Sequence, residues 1–215
     1  EAEYIAEKIR AEIINKFGPR AYEEGMNIYT TLDSDMQTNA VKSLRDNLYS
    51  YDKKYGWRDE EVYKDFNFSI LKSAFQEEGL FILPARINYE EAKEENLEKL
   101  QNLLDARTEP DGLIPSLVIS MDDSSVQTLD SKLKLNKINW SEDLYAWARQ
   151  NNPDGTRSPK PEKFSDFIEI GSLVYIHNKN GMLQVSQVPE AEAAFVAIDG
   201  LTGSLKAYVG GFDFE

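Results

Sequence analysis

The pattern Ser-x-x-Lys occurs three times, as Ser50 to Lys53, Ser69 to Lys72 and Ser131 to Lys134. On a buried helix this spacing sets the serine and the lysine on adjacent turns. The amine can then take the hydroxyl proton and make the serine a nucleophile for acyl transfer. Enzymes that work this way also carry a Ser-x-Asn and a Lys-Thr-Gly element. The nearest segments here are Ser34-Asp35-Met36 and Leu201-Thr202-Gly203, and neither fits. The first pair falls in a polar helix end and the third in a charged strand. Only Ser69 and Lys72 lie on a plausible helix, so a reading as an enzyme in its own right would rest on them alone. All three read as coincidences among abundant residues.

Other chemistry is equally thin. There is one histidine, His177, inside SLVYIH, and one imidazole cannot build a multi-histidine metal site. The absence of cysteine excludes disulfides, thiolate catalysis and zinc-thiolate sites. No P-loop and no GxGxxG is found. Carboxylates are spread so widely that no pair stands out as an acid/base couple. No catalytic, cofactor or metal site is expected.

The surrounding elements are more legible. Ile5, Ile9, Ile13 and Phe17 recur at helical spacing over 1–17, and Gly18-Pro19 supplies a stop. Ile28, Thr30 and Leu32 alternate as in a short strand. Ser34 with Gln37 has the spacing of a capping box ahead of a helix whose face is Met36, Ala40, Leu44 and Leu48. A helix is expected over 60–78, ended by Gly79, and a short apolar run over 80–83. In YEEAKEENLEKLQNLLDA, Leu97, Leu100 and Leu104 share one side and the glutamates form a solvated face.

From Gly112 the pattern turns to strands. They are expected at 117–121, 126–129 and 132–137, followed by a helix in WSEDLYAWAR with Ser141 as its cap. After a proline-rich loop come SLVYIH and MLQVSQV, joined through Asn180-Gly181, a strong hairpin signal. Three strands, a helix and two strands match the order of an OB-like barrel. The final hairpin, AAFVAIDG and SLKAYVGG, stands outside that count. The fold class expected is α+β: an OB-like five-stranded β-barrel inserted into a discontinuous helix/strand unit.

Composition is that of a globular chain, with 41% hydrophobic and 11% aromatic residues. The 38 acidic against 24 basic side chains give a net charge of -14, which disfavours nucleic acid and anionic membrane surfaces as partners. No apolar run is long enough to span a bilayer. The first residue is Glu1, and both ends read as cut from something larger.

Taken in order, MNIYTTLDSDMQTNAVKSLRDNL, YDKKYGWRDEE, GLIPSLVIS, LYAWARQ and VSQVPEAEAAFVAIDGLTGSLKAYVGGFDFE resemble the bifunctional class A penicillin-binding proteins, in particular the one-a type of Gram-negative bacteria. The resemblance implies an interdomain linker helix at 1–26. It implies the N-terminal part of a transpeptidase domain at 27–58 and 191–215, a helical part of an insertion at 59–111, and the OB-like domain at 112–190. It further implies that the catalytic Ser-x-x-Lys helix follows the VGGFDF stretch and that the glycosyltransferase glutamates precede Glu1. This region would then be non-catalytic. It would lie on the periplasmic side of the inner membrane, beside peptidoglycan and without membrane contact of its own. In some members the OB-like insert docks an outer-membrane lipoprotein activator. Trp140, Tyr145 and Trp147 are large side chains suited to such an interface, or to core packing around a short helix. The alternative role is an OB-like module that grips peptidoglycan glycan or peptide directly.

Overall fold

The computed structural model describes residues 2–23, 25–58, 61–75 and 89–213. In chain order the helices are α1 (Glu3–Phe17), α2 (Arg20–Glu23), α3 (Ser34–Lys53), α4 (Phe68–Phe75), α5 (Tyr89–Asp105) and α6 (Glu142–Tyr145). The strands are β1 (Ile114–Met121), β2 (Ser125–Asp130), β3 (Leu135–Asn139), β4 (Leu173–Lys179), β5 (Met182–Ser186), β6 (Ala194–Ile198) and β7 (Leu205–Gly210). They form two compact units, Glu1–Asp52 with Pro189–Glu215, and Lys53–Val188. The sequence reading drew these limits at 58 and 191.

In the first unit, β6 and β7 pair antiparallel, and α3 turns Ala40, Val41, Leu44, Leu48 and Tyr49 into the core. The Tyr49 ring meets Phe212 edge-on at 5.1 Å. Asp199 holds the β6–β7 turn by accepting the Leu201 and Thr202 amides at 3.0 and 2.8 Å. α1 ends at Gly18, whose φ of +62° and bond to the Ile14 carbonyl close the last turn.

Two local expectations are corrected here. The segment 28–32 is not a strand: Thr31 Oγ1 bonds the Leu205 carbonyl of β7 at 2.7 Å, and just beyond it Asp33 N bonds the Lys206 carbonyl at 3.0 Å. Its apolar residues stay outside, with Ile28 and Tyr29 exposed. The cap of α3 is Asp33, whose Oδ1 accepts the Met36 amide at 3.0 Å, so Ser34 is already inside the helix. Gln37 is thereby freed from capping and works elsewhere.

The second unit is a curled five-stranded antiparallel half-barrel with strand order β3-β2-β1-β4-β5, and β3 comes back toward β5. This is the OB-like order expected from the sequence. Val118, Val126, Ile138, Val174, Ile176 and Val185 point from the strands into one core with Trp57, Tyr145, Phe164 and Phe167. Alternation sends Leu117, Ile119, Leu129 and Leu173 to the other face, where Leu71 of α4 and Leu100 and Leu104 of α5 cover them. β1 is therefore buried on both sides. Asn180 and Gly181, at φ of +55° and +83°, make the β4–β5 turn.

Three further elements differ from expectation. α4 starts at Phe68, not at 60, because 61–67 runs along the barrel instead, with Val62 bridging Ser172. Gly79 and the run at 80–83 lie outside the described residues. β3 begins at Leu135, since 131–134 is a turn around Asp130, which accepts the Lys132 and Lys134 amides at 3.0 Å each and sets Leu133 at φ +57°. α6 is a single turn, and the Ser141 side chain makes no capping bond.

Candidate functional site

Trp140, Tyr145 and Trp147 come together where α6 closes the half-barrel. Tyr145 is 1% exposed, and its hydroxyl accepts the Val185 amide of β5 at 3.1 Å. Burial raises its phenol to about 12. Trp140 stacks on Tyr145 at 5.3 Å and meets Phe164 edge-on at 5.2 Å. Trp147 donates from its indole to the Leu144 carbonyl at 2.7 Å, and its ring lies 5.6 Å from Trp57. Trp140 and Trp147 are half-buried, so each keeps an outer edge while its inner face packs on the core. Lys53 Nζ stands 5.1 Å from the Trp147 ring, and burial, helped by the Lys179 charge, lowers its pKa.

The sequence reading missed Trp57, Phe164 and Phe167, which complete this cluster. Trp57 had a signal in its glycine. Gly56 sits at φ +88°, and a Cβ there would lie 2.1 Å from the Arg149 carbonyl oxygen, which instead accepts the Trp57 amide at 2.9 Å.

A second grouping lies at the foot of the same unit. Gln187 donates to the Gly56 carbonyl at 3.0 Å and accepts the Arg58 amide at 3.2 Å, while the Arg58 guanidinium donates to the Val188 carbonyl. The two ends of the unit are thus sewn together. Beside them Arg107 donates to Glu61 and to the Tyr63 hydroxyl, which itself donates to Glu61. The Glu61 bond, with burial, raises the Tyr63 phenol. A cavity of about 230 Å³ is bounded by Arg58, Arg107, Tyr175 and Gln187. Arg58 and Gln187 spend their bonds on the closure just described, while Arg107 Nε is buried with no hydrogen-bond partner among the described residues.

The Ser-x-x-Lys pairs do not converge on anything. Ser50 bonds back to the Asp46 carbonyl at 2.8 Å within α3, Ser69 and Lys72 lie on α4, and Ser131 and Lys134 lie in the β2–β3 turn. His177 is half-buried in β4 opposite Gln184. Among the described residues no group of three His, Cys, Asp or Glu side chains is arranged to hold a metal ion.

The half-barrel and its helical cover define a class that comparison with known proteins makes specific. The family described as Penicillin-binding protein OB-like domain matches residues 84–191, and the chain belongs to it. Over its whole length the chain is 28% identical to Penicillin-binding protein 1A of Pseudomonas aeruginosa, of which it covers 22%. It is 30% identical to that of Vibrio cholerae over 99% of this chain and 24% of the relative. The crystal structure of Penicillin-binding protein 1A from Haemophilus influenzae superposes with a TM-score of 0.69, at 24% identity, over all of this chain and 26% of that one. The chain therefore spans about a fifth to a quarter of the length of the relatives it matches.

Proposed function

We propose that this chain is a non-catalytic regulatory and linker region of a peptidoglycan synthase, whose parent polymerises glycan strands and cross-links their peptides on the periplasmic side of the inner membrane. The observation that carries this reading is the end-to-end likeness to relatives named Penicillin-binding protein 1A. On this reading the first unit is the start of the transpeptidase domain and the OB-like unit is set into it. The OB-like unit positions the catalytic domain and receives a protein activator, of the outer-membrane lipoprotein kind, at the outer edges of Trp140 and Trp147.

One feature favours protein docking over direct grip on glycan. OB folds bind oligosaccharides on the outer face around strands two and three. Here Leu129 of β2 and Leu135 of β3 pack toward α4 and α5, so part of that face is already covered.

The test uses the parent protein. Native membranes are labelled with a fluorescent penicillin, and protein is captured with an antibody raised against this chain. A labelled band much larger than 24.5 kDa is expected. Capture of an unlabelled protein would overturn the synthase reading. For the docking role, saturable shifts of the barrel with soluble peptidoglycan fragments would instead favour the direct-binding module.

A further inference from the structure

We propose that the Gly210-Gly211 pair at the end of β7 is a seat for the Tyr4 ring, and that this contact is a releasable latch coupling α1 to the 210–213 segment. The two glycines are needed for different reasons. At Gly210 the backbone is ordinary, yet a Cβ would meet Tyr4 Cδ1 and Cε1 at 3.2 Å, so the missing side chain makes room for the ring. At Gly211 φ is +74°, and a Cβ would stand 2.5 Å from the Tyr4 hydroxyl.

The hydroxyl then reaches over the pair and donates to the Asp213 carbonyl. Burial, with the Asp213 charge, raises the Tyr4 phenol, so it remains a donor across neutral pH. Arg45 of α3 holds the same segment from the other side. Its Nε donates to the Phe212 carbonyl at 3.0 Å, and its Nη2 meets Asp213 Oδ1 at 3.1 Å. Farther along α1, Lys8 Nζ lies 5.4 Å from the Tyr208 ring.

The latch is built to open. Ile5 is the one residue of α1 that is fully buried, so the helix is fixed mainly through its first turn. A cavity of about 210 Å³ adjoins Tyr4, Val41, Arg45 and Phe212, which leaves the ring space on one side. A force on the chain ahead of Tyr4 is thus delivered to Gly210–Asp213. A rearrangement of Gly210–Asp213 is delivered equally to α1, since coupling between two sites is reciprocal.

Amide hydrogen exchange on the full chain tests this. Tyr4→Ala should raise exchange of the Gly211 amide, which donates to the Ala193 carbonyl at 2.8 Å, by about tenfold. At the far end of the hairpin the Asp199 amide, which donates to the Ser204 carbonyl at 2.8 Å, should not change. Tyr4→Phe, which keeps the ring and loses the hydroxyl, should give a smaller rise. In the reverse direction Gly211→Ala should raise exchange in the first two turns of α1. Loosening of α1 by Tyr4→Ala with Gly211 exchange unchanged would overturn the proposal without reference to whether Gly211→Ala folds. A folded Gly211→Ala chain with α1 fully protected would do the same.

Discussion

Gln37 completes the edge of β7 as a strand residue would. Its Oε1 accepts the Tyr208 amide at 2.9 Å, and its Nε2 donates to the Tyr208 carbonyl at 3.1 Å. One side-chain amide on a helix thus takes the place of a ladder rung, and it is 5% exposed, shielded from competing water. Gln37→Leu leaves both Tyr208 groups without this partner. It should cost roughly 1–3 kcal/mol in chemical denaturation, because unmade bonds at buried backbone groups carry their desolvation penalty. Unchanged stability, with an unchanged Tyr208 amide exchange rate, would show that the rung is decorative.

Gly56 and Gly155 make a matched pair of tests. Both have positive φ, at +88° and +82°, but a Cβ at Gly155 meets nothing within 4 Å while one at Gly56 would collide with the Arg149 carbonyl. Gly155→Ala should cost about 1 kcal/mol, from backbone strain alone. Gly56→Ala should cost clearly more, upwards of about 3 kcal/mol, with loss of Trp57 near-UV dichroism as the local readout. Equal costs would mean the close approach to Arg149 relaxes freely.

Tyr145 sets a limit at high pH. Its phenol is raised to about 12 by burial, so the folded state prefers the neutral form. That contribution is complete below the ordinary tyrosine value of about 10 and is lost as pH rises through the folded value. Difference absorbance between the parent chain and Tyr145→Phe should show one tyrosinate appearing late. The same variant leaves the Val185 amide without its acceptor and should be less stable by about 1–2 kcal/mol at neutral pH.

Asp122 behaves in the opposite sense. The Ser124 hydroxyl and amide donate to its Oδ1 at 2.8 Å each, and Ser125 adds an amide bond at 2.7 Å. These hold its carboxyl down to about 2. The β1–β2 turn should keep its form above the usual aspartate range and lose it only as pH falls through that depressed value. Carboxyl-carbon NMR gives the midpoint directly. A midpoint near 4, the ordinary range, would mean the serines do not hold the turn.

Legibility followed how local each cause was. α1, α5 and the β4–β5 hairpin were readable because an apolar stripe, a glycine stop and Asn-Gly carry their reasons within a few residues. The strand order of the half-barrel was readable as a count of segments. The segment 28–32 misled because its alternation has no core to face, and because Gln37, several residues later, occupies the β7 position a partner strand would need. The run 61–67 misled because it bonds to a loop more than a hundred residues away, Tyr63 N to the Gly171 carbonyl at 2.8 Å. Among the aromatics, Trp140, Tyr145 and Trp147 stand out in the sequence for their size, and the structure packs them against one core. Which edges stay outside is set by Phe164, Phe167 and Trp57, which arrive from distant segments.

β1 is a party wall. Leu117 and Ile119 belong to the room furnished by α4 and α5, and Val118 to the room inside the barrel, so neither space can be emptied without stripping paper from the other. A barrel trimmed to begin at Gly112, the limit the strand pattern suggests, would lay Leu117, Ile119, Leu129 and Leu173 open to water and to its own copies. To keep both faces of β1 covered, a region has to include Trp57, α4 and α5.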